Sequence, residues 1–227
     1  MQFKVVILVI MDTNGWNLKM KPYTTTILQK KLLTSFFKGF EIKGWINHFM
    51  AWVIDSKYRT IKRLDKFLDE QLQNPSIEID NIAKTLYHKD PDVCIIKILK
   101  FVLENYKYIT DQENYGIVEY WNTAENILKL KGDDCDGLNS LIYILARLCN
   151  IPSEFIYCVI GNVSQGKHFY CIYYSSKYDK IVSIDATYYP SLRSVKNRPK
   201  FKIGEYQYTK IDYLFSDNFI FKPKMEE

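Results

Sequence analysis

The feature that most constrains this chain is a change of rhythm at Cys135. The polar turn Gly132-Asp133-Asp134 precedes it. Leu138, Leu141, Ile142, Leu145 and Leu148 then recur at helical spacing until Asn150 and Pro152 close the segment. The pattern predicts a helix with Cys135 in its first turn and Asp133 or Asp134 as N-cap. A helix with so broad an apolar face must be buried against a second layer. Unpaired N–H groups and the positive helix end favour a thiolate, the reactive form of cysteine. Asp134 and Asp136 oppose ionisation, because like charges disfavour it, so an imidazolium is needed nearby. The plainer reading of a helical cysteine is a small buried hydrophobe, and the flanking acids argue against it here.

Three strands are expected after this helix. Phe155 to Ile160 is apolar on both faces and should be central. His168 to Tyr174 and Asp179 to Thr187 alternate and are joined by a short polar turn. With Ser175 to Tyr178 as the loop, Tyr174 pairs with Asp179 and His168 with Asp185. Direct cross-strand neighbours have Cβ atoms about 4.5–5.5 Å apart. A slip of two residues would make the pair diagonal, and a slip of one would put its members on opposite faces. A carboxylate so placed fixes the imidazole tautomer and stabilises the imidazolium. Zinc binding through His168 and Cys171 is not expected, since residues three apart on a strand point to opposite faces.

The chain has 227 residues, of which 47% are hydrophobic, enough for a sizeable core. Eighteen Tyr and 13 Phe, with few Gly and Pro, exclude a disordered or low-complexity chain. The net charge of +5 names no partner. Residues 1–66 hold 12 Lys/Arg against 4 Asp/Glu, read as a solvated face because no nucleic-acid module accompanies it. Five cysteines, an odd number without a CxxC pair, argue against a disulfide framework or a zinc knuckle and fit a reducing compartment. Met1 to Ile10 is too short to span a bilayer and lacks the flanks of a signal peptide, so a buried strand is expected there.

Residues 24–107 read as helical. Leu28, Leu32 and Leu33 begin one apolar stripe, and Tyr58, Ile61, Leu64, Leu68 and Leu72 make another. Asp90-Pro91 is an N-cap and first-turn pair for a helix to about Tyr106. Asn122 and Glu125 have capping-box spacing for a short helix through Leu130.

Four blocks of sequence resemble the transglutaminase-like superfamily. They are Tyr120-Trp121-Asn122-Thr123-Ala124-Glu125, Gly132-Asp133-Asp134-Cys135-Asp136-Gly137, Lys167-His168-Phe169 and Ile184-Asp185-Ala186-Thr187. Order and spacing match over about 70 residues, and Asn150-Ile151-Pro152 resembles the family's turn out of the cysteine helix. One Asp is inserted between Gly132 and the Asp-Cys-Asp run. Residues 1–80 and the region after about 192 lie outside the resemblance.

The resemblance implies an α+β, papain-like core, with a Cys-bearing helix packed on an antiparallel sheet and a helical N-terminal extension. The expected division is an extension over 1–107, a catalytic core over 108–192 and a C-terminal segment over 193–227 packed on that core. The implied activity is acyl transfer on amide bonds of a protein or peptide. Cys135 is the nucleophile, His168 the base and Asp185 the orienting acid. The backbone N–H of Cys135 supplies one oxyanion donor. The resemblance allows the Trp121 indole as a second, with Gln112 and Asn114 as rivals. No cofactor and no metal are expected, and neither a nucleic-acid nor a membrane partner. Hydrolysis, deamidation and cross-linking share these residues.

The competing reading is a structural subunit of a larger assembly, for example a phage particle, that uses the fold as a binding module. The expected location is the cytoplasm, or the virion if phage-encoded. Residues 1–107, with Trp16, Trp45 and Trp52, are the expected surface for a protein partner or a second copy. Arg193, Lys196, Arg198, Lys200 and Lys202 form a second basic run.

Overall fold

The computed structural model describes residues 40–42, 52–55, 60–117, 119–204 and 207–223. The expected strand at Met1 to Ile10, the stripe from Leu28, and Trp16 and Trp45 lie outside these residues.

The helices of the described residues are α1 (Leu64–Gln73), α2 (Ile77–Leu86), α3 (Pro91–Asn105), α4 (Asp111–Tyr115), α5 (Ala124–Leu130) and α6 (Cys135–Leu148). The main sheet has six strands: β1 (Phe40–Ile42), β6 (Ile156–Val163), β7 (Gly166–Ser175), β8 (Lys180–Ile184), β9 (Tyr208–Phe215) and β10 (Ile220–Pro223). Their order is β1-β10-β9-β6-β7-β8, and every pairing is antiparallel. Two small sheets accompany it, β2 (Trp52–Asp55) with β3 (Thr60–Arg63), and β4 (Lys107–Tyr108) with β5 (Gly132–Asp133). The architecture is α+β, as expected.

Local chemistry explains the helix starts. Asp90 accepts the Asp92 N–H at 2.9 Å and Pro91 occupies the first turn of α3, as the sequence predicts. Tyr173 and Ser175 of β7 each donate to the buried Asp92 at 2.8 Å, fastening α3 to the sheet. Thr110 and Glu113 form a capping box at α4. The cap of α5 is Thr123, whose hydroxyl accepts from Asn126, and not Asn122. Asn122 is instead buried, donating to Asp133 at 3.1 Å.

The stripe drawn from Tyr58 divides. Ile61 belongs to β3, and helix begins only at Leu64. The apolar spacing continues through the junction, so periodicity alone does not mark the change.

Helix α6 is the centre of the molecule. Every residue from Asp136 to Ala146 is buried. It packs on β6 and β7 on one side and against α1, α2, α3 and α5 on the other. That explains why its apolar positions run nearly all round. β6 lies between β7 and β9, the central place its two apolar faces predict. A Cβ at Gly161 would lie 2.1 Å from the Lys210 carbonyl oxygen, so glycine permits the close approach of β9 where the β6–β9 register shifts.

The β7–β8 hairpin differs in register from the expectation. Tyr174 pairs with Ile181, and Ser175 with Lys180, so the loop is Ser176 to Asp179. Asp179 adopts a left-handed conformation, φ 47°, and accepts from the Tyr174 hydroxyl at 2.8 Å. This moves β8 by two residues and makes His168 and Asp185 diagonal rather than direct neighbours. Asp185 follows the last residue of β8.

Candidate active site

Cys135 is the first residue of α6, with Asp134 as N-cap, its carboxylate accepting the Asp136 N–H at 3.0 Å. Of the five free cysteines, Cys135 is the one that is not buried. Asn139, one turn along, donates to the carbonyls of Cys135 at 3.0 Å and Phe169 at 2.9 Å, and accepts the Ala186 N–H at 2.9 Å. A single buried amide thus ties the cysteine's turn to the residues next to His168 and Asp185. The Phe169 N–H also favours the Cys135 thiolate.

His168 and Asp185 are both buried, and His168 Nε2 lies 2.8 Å from Asp185 Oδ2. Asp185 Oδ1 accepts the N–H groups of Thr187 and Tyr188 at 2.9 and 3.1 Å. Tyr208 on β9 donates to Oδ2 at 3.0 Å. Burial alone would raise Asp185, but the bond and charge of His168 and these N–H donors outweigh it and hold the carboxyl below its ordinary range. The His168 ring stacks on Tyr170, centroids 5.8 Å apart, with Tyr188 tilted against it at 5.4 Å.

Trp121 is placed differently from the expected oxyanion donor. Its indole N–H donates to Glu119 Oε1 at 2.7 Å, and its ring packs edge-on against Phe67 and Phe169. Asn114 donates to the Gly132 carbonyl at 3.4 Å. The single indole N–H is taken by its bond to Glu119, while the Asn114 amide keeps a second N–H.

Asp111, Asp133, Asp134 and Glu119 all act on Asp136, the residue after Cys135, and sequence reading missed their convergence. Burial first, then Asp134 and Asp136, push the Cys135 thiol well above its ordinary range, with the Phe169 N–H acting against them. Asp136 is buried and is likewise pushed far up. Asp111 is raised to about 7 by burial and by Asp134, and Asp133 to about 6 by burial. Glu119 adds to the negative field at Asp111 and Asp136. Gly137 is required because a Cβ there would sit 2.5 Å from the Asp133 carboxyl.

Asp111, Asp134 and Asp136 bring one carboxylate oxygen each within 4.8 Å of one another. Among the described residues, Asp111 Oδ1 and Asp136 Oδ1 are buried without a hydrogen-bond partner. Hard oxygen donors with unsatisfied lone pairs and mutual repulsion fit a divalent cation of the calcium type. The Asp-Asp-Cys-Asp run carried part of this signal. Asp111 did not, because only folding brings it close.

No family model and no curated protein matches the chain. Among solved structures, calcium-bound LapG of Legionella pneumophila aligns over 72% of this chain and 90% of that one, at 15% identity and TM-score 0.49. The EGTA-treated form aligns over 72% and 87%, also at 15% and 0.49. A cysteine protease candidate from Cytophaga hutchinsonii aligns over 52% and 41%, at 18% and 0.35. The chain's own topology places a cysteine-bearing helix, a histidine strand and an aspartate just past the end of the next strand, in that chain order, on an antiparallel sheet.

Proposed function

We propose that the chain is a cysteine hydrolase or acyltransferase acting on amide bonds of a protein or peptide. The observation that carries this reading is the 2.8 Å bond between buried His168 Nε2 and Asp185 Oδ2. It leaves Nδ1 as the ring nitrogen for the thiol, on the strand whose Phe169 N–H favours the Cys135 thiolate. The thiol proton passes to His168, and the thiolate attacks the amide carbon. The Cys135 N–H, outside the helix ladder by its position in the first turn, supports the oxyanion. The C–N bond breaks as the leaving amine takes the proton from His168. Water, or an amine in cross-linking, then opens the thioester while His168 accepts its proton.

Asp111, Asp134 and Asp136 would hold the divalent cation. Bound there, it supplies positive charge that offsets the repulsion among the carboxylates beside the thiol. The start of α4 and the start of α6 are then held together by their own side chains.

The test is mass spectrometry of unfolded casein incubated with the protein, with calcium, with and without a primary amine. Cleaved or amine-modified peptides are expected from the wild type and are lost in Cys135→Ser. Wild-type turnover by Cys135→Ser would contradict the reading.

A further inference from the structure

The basic run after β8 has a place in the fold that the site above does not use. Between the 189–202 segment and β9 lies a cavity of about 430 Å³, within the range of about 300–1,000 Å³ usual for ligand sites. Its described lining carries Arg193, Arg198, Lys200 and Lys202 and no carboxylate.

Arg198 is the informative member. It is only 6% exposed. Its guanidinium donates to the carbonyls of Arg193, Ser183 and Ser191. Three carbonyls fix its orientation without neutralising its charge, and burial draws its pKa down to about 10. Lys180 is held in the same way, donating to the carbonyls of Lys196 and Arg198 at 2.8 Å. Among the described residues none forms an ion pair with Arg193, Arg198 or Lys200. The carboxylate that acts on Arg198 is Asp185, which is already bonded to His168; a buried cation so weakly compensated is costly, and this one lies at a cavity wall that an anion can reach. Arg193 and Lys200 are exposed beside it.

The cavity also adjoins the active site. Tyr208, one of its walls, donates to Asp185 Oδ2 at 3.0 Å. Tyr189, another wall, packs edge-on against Tyr188, which lies on the His168 ring. A group in the cavity is therefore separated from Asp185 by the Tyr208 side chain, and from His168 by Tyr189 and Tyr188.

We propose that this cavity is a substrate subsite that takes a carboxylate side chain, Asp or Glu, from the same peptide whose amide reaches Cys135. The peptide's role as substrate rests on the reading above; the anion subsite itself does not. Beyond its three carbonyl bonds Arg198 keeps one N–H on each Nη, and these would meet the carboxylate. Arg193 and Lys200 add charge at the mouth, and the tyrosine rings cover the aliphatic stem.

The test measures binding on Cys135→Ala protein, where ligand is held without turnover. Acetyl-Ala-Glu-Ala-Gly amide, its Gln counterpart and inorganic phosphate are titrated and followed by NMR shifts. The Glu peptide should bind at least tenfold more tightly than the Gln peptide, and Arg193→Gln/Lys200→Gln, both at exposed positions, should remove the difference. Equal binding of the two peptides would overturn the proposal. Phosphate binding without preference for Glu would overturn it in favour of a free-anion site. Glu preference in a protein without peptidase activity would leave the subsite standing and remove only its link to catalysis.

Discussion

Asp185 Oδ2 is shared by two donors, His168 Nε2 at 2.8 Å and the Tyr208 hydroxyl at 3.0 Å. Tyr208 therefore moderates how strongly the carboxylate holds the imidazolium. In Tyr208→Phe the whole of Oδ2 is left to His168, and the pH midpoint for thiolate formation at Cys135 should fall. A hydrogen bond to a charged group contributes about 1.5–3 kcal/mol and one pH unit corresponds to about 1.4 kcal/mol, so the shift is at most about 2 units. An alkylation-rate profile against pH measures it; an unmoved midpoint would make Tyr208 purely structural.

Replacing the carboxylate itself has a larger consequence. Asp185→Asn should retain the far-UV circular dichroism of the wild type and lose turnover by about 10⁴, through loss of tautomer control. The stability effect has a defined sign. The folded pKa of Asp185 lies below its unfolded value of about 3.9. Its contribution is thus complete above about pH 4 and is lost as pH falls through the lower folded value. Urea midpoints of wild type and Asp185→Asn should converge below that window.

The acidic cluster predicts the opposite trend. Asp111 and Asp133 titrate at about 7 and about 6, above their unfolded range. The stability they allow is fully present at pH 4 and is lost as pH rises to about 7. Calcium should therefore raise the melting temperature more at pH 8 than at pH 5, by direct competition with protons. Asp136→Asn should stabilise the calcium-free protein at pH 8 and abolish the calcium response. Differential scanning fluorimetry with calcium and with EGTA reads both.

Arg147 and Asp217 join the end of α6 to the turn between β9 and β10, with N–O distances of 3.0 and 3.2 Å. Tyr143 adds a donor to the same carboxylate. Arg147→Met leaves Asp217 without its cation and should cost about 3 kcal/mol in urea unfolding. Adding Asp217→Asn should return much of that loss, because the uncompensated charge is gone.

What the sequence made legible was local. The start of α6 at Cys135 follows from Asp134 as cap and the leucine spacing behind it. The N-terminus of α3 follows from Asp90-Pro91, and the central place of β6 from its two apolar faces. The partnership of His168 and Asp185 was found through a register that was two residues out, because the left-handed turn at Asp179 has no signature in composition. It survives because a two-residue slip keeps both side chains on one face. The α5 cap went to Thr123 rather than Asn122, whose amide is drawn to Asp133 in the interior. Asp111 at the acidic cluster, Tyr208 on Asp185 and the burial of Arg198 arise from contacts distant in sequence, which no spacing rule reports.

The central claim is that Cys135 is activated by His168 rather than by its own environment, which pushes the thiol up. The direct measurement is peptide mapping after brief iodoacetamide treatment across pH 5 to 9, in calcium, for wild type and His168→Ala. The account predicts that Cys135 alone labels rapidly in the wild type at neutral pH. Cys94, Cys149, Cys158 and Cys171 stay protected by burial. Labelling of Cys135 in His168→Ala should rise only at strongly alkaline pH. Equal labelling of all five cysteines, or identical Cys135 profiles in the two proteins, would contradict it.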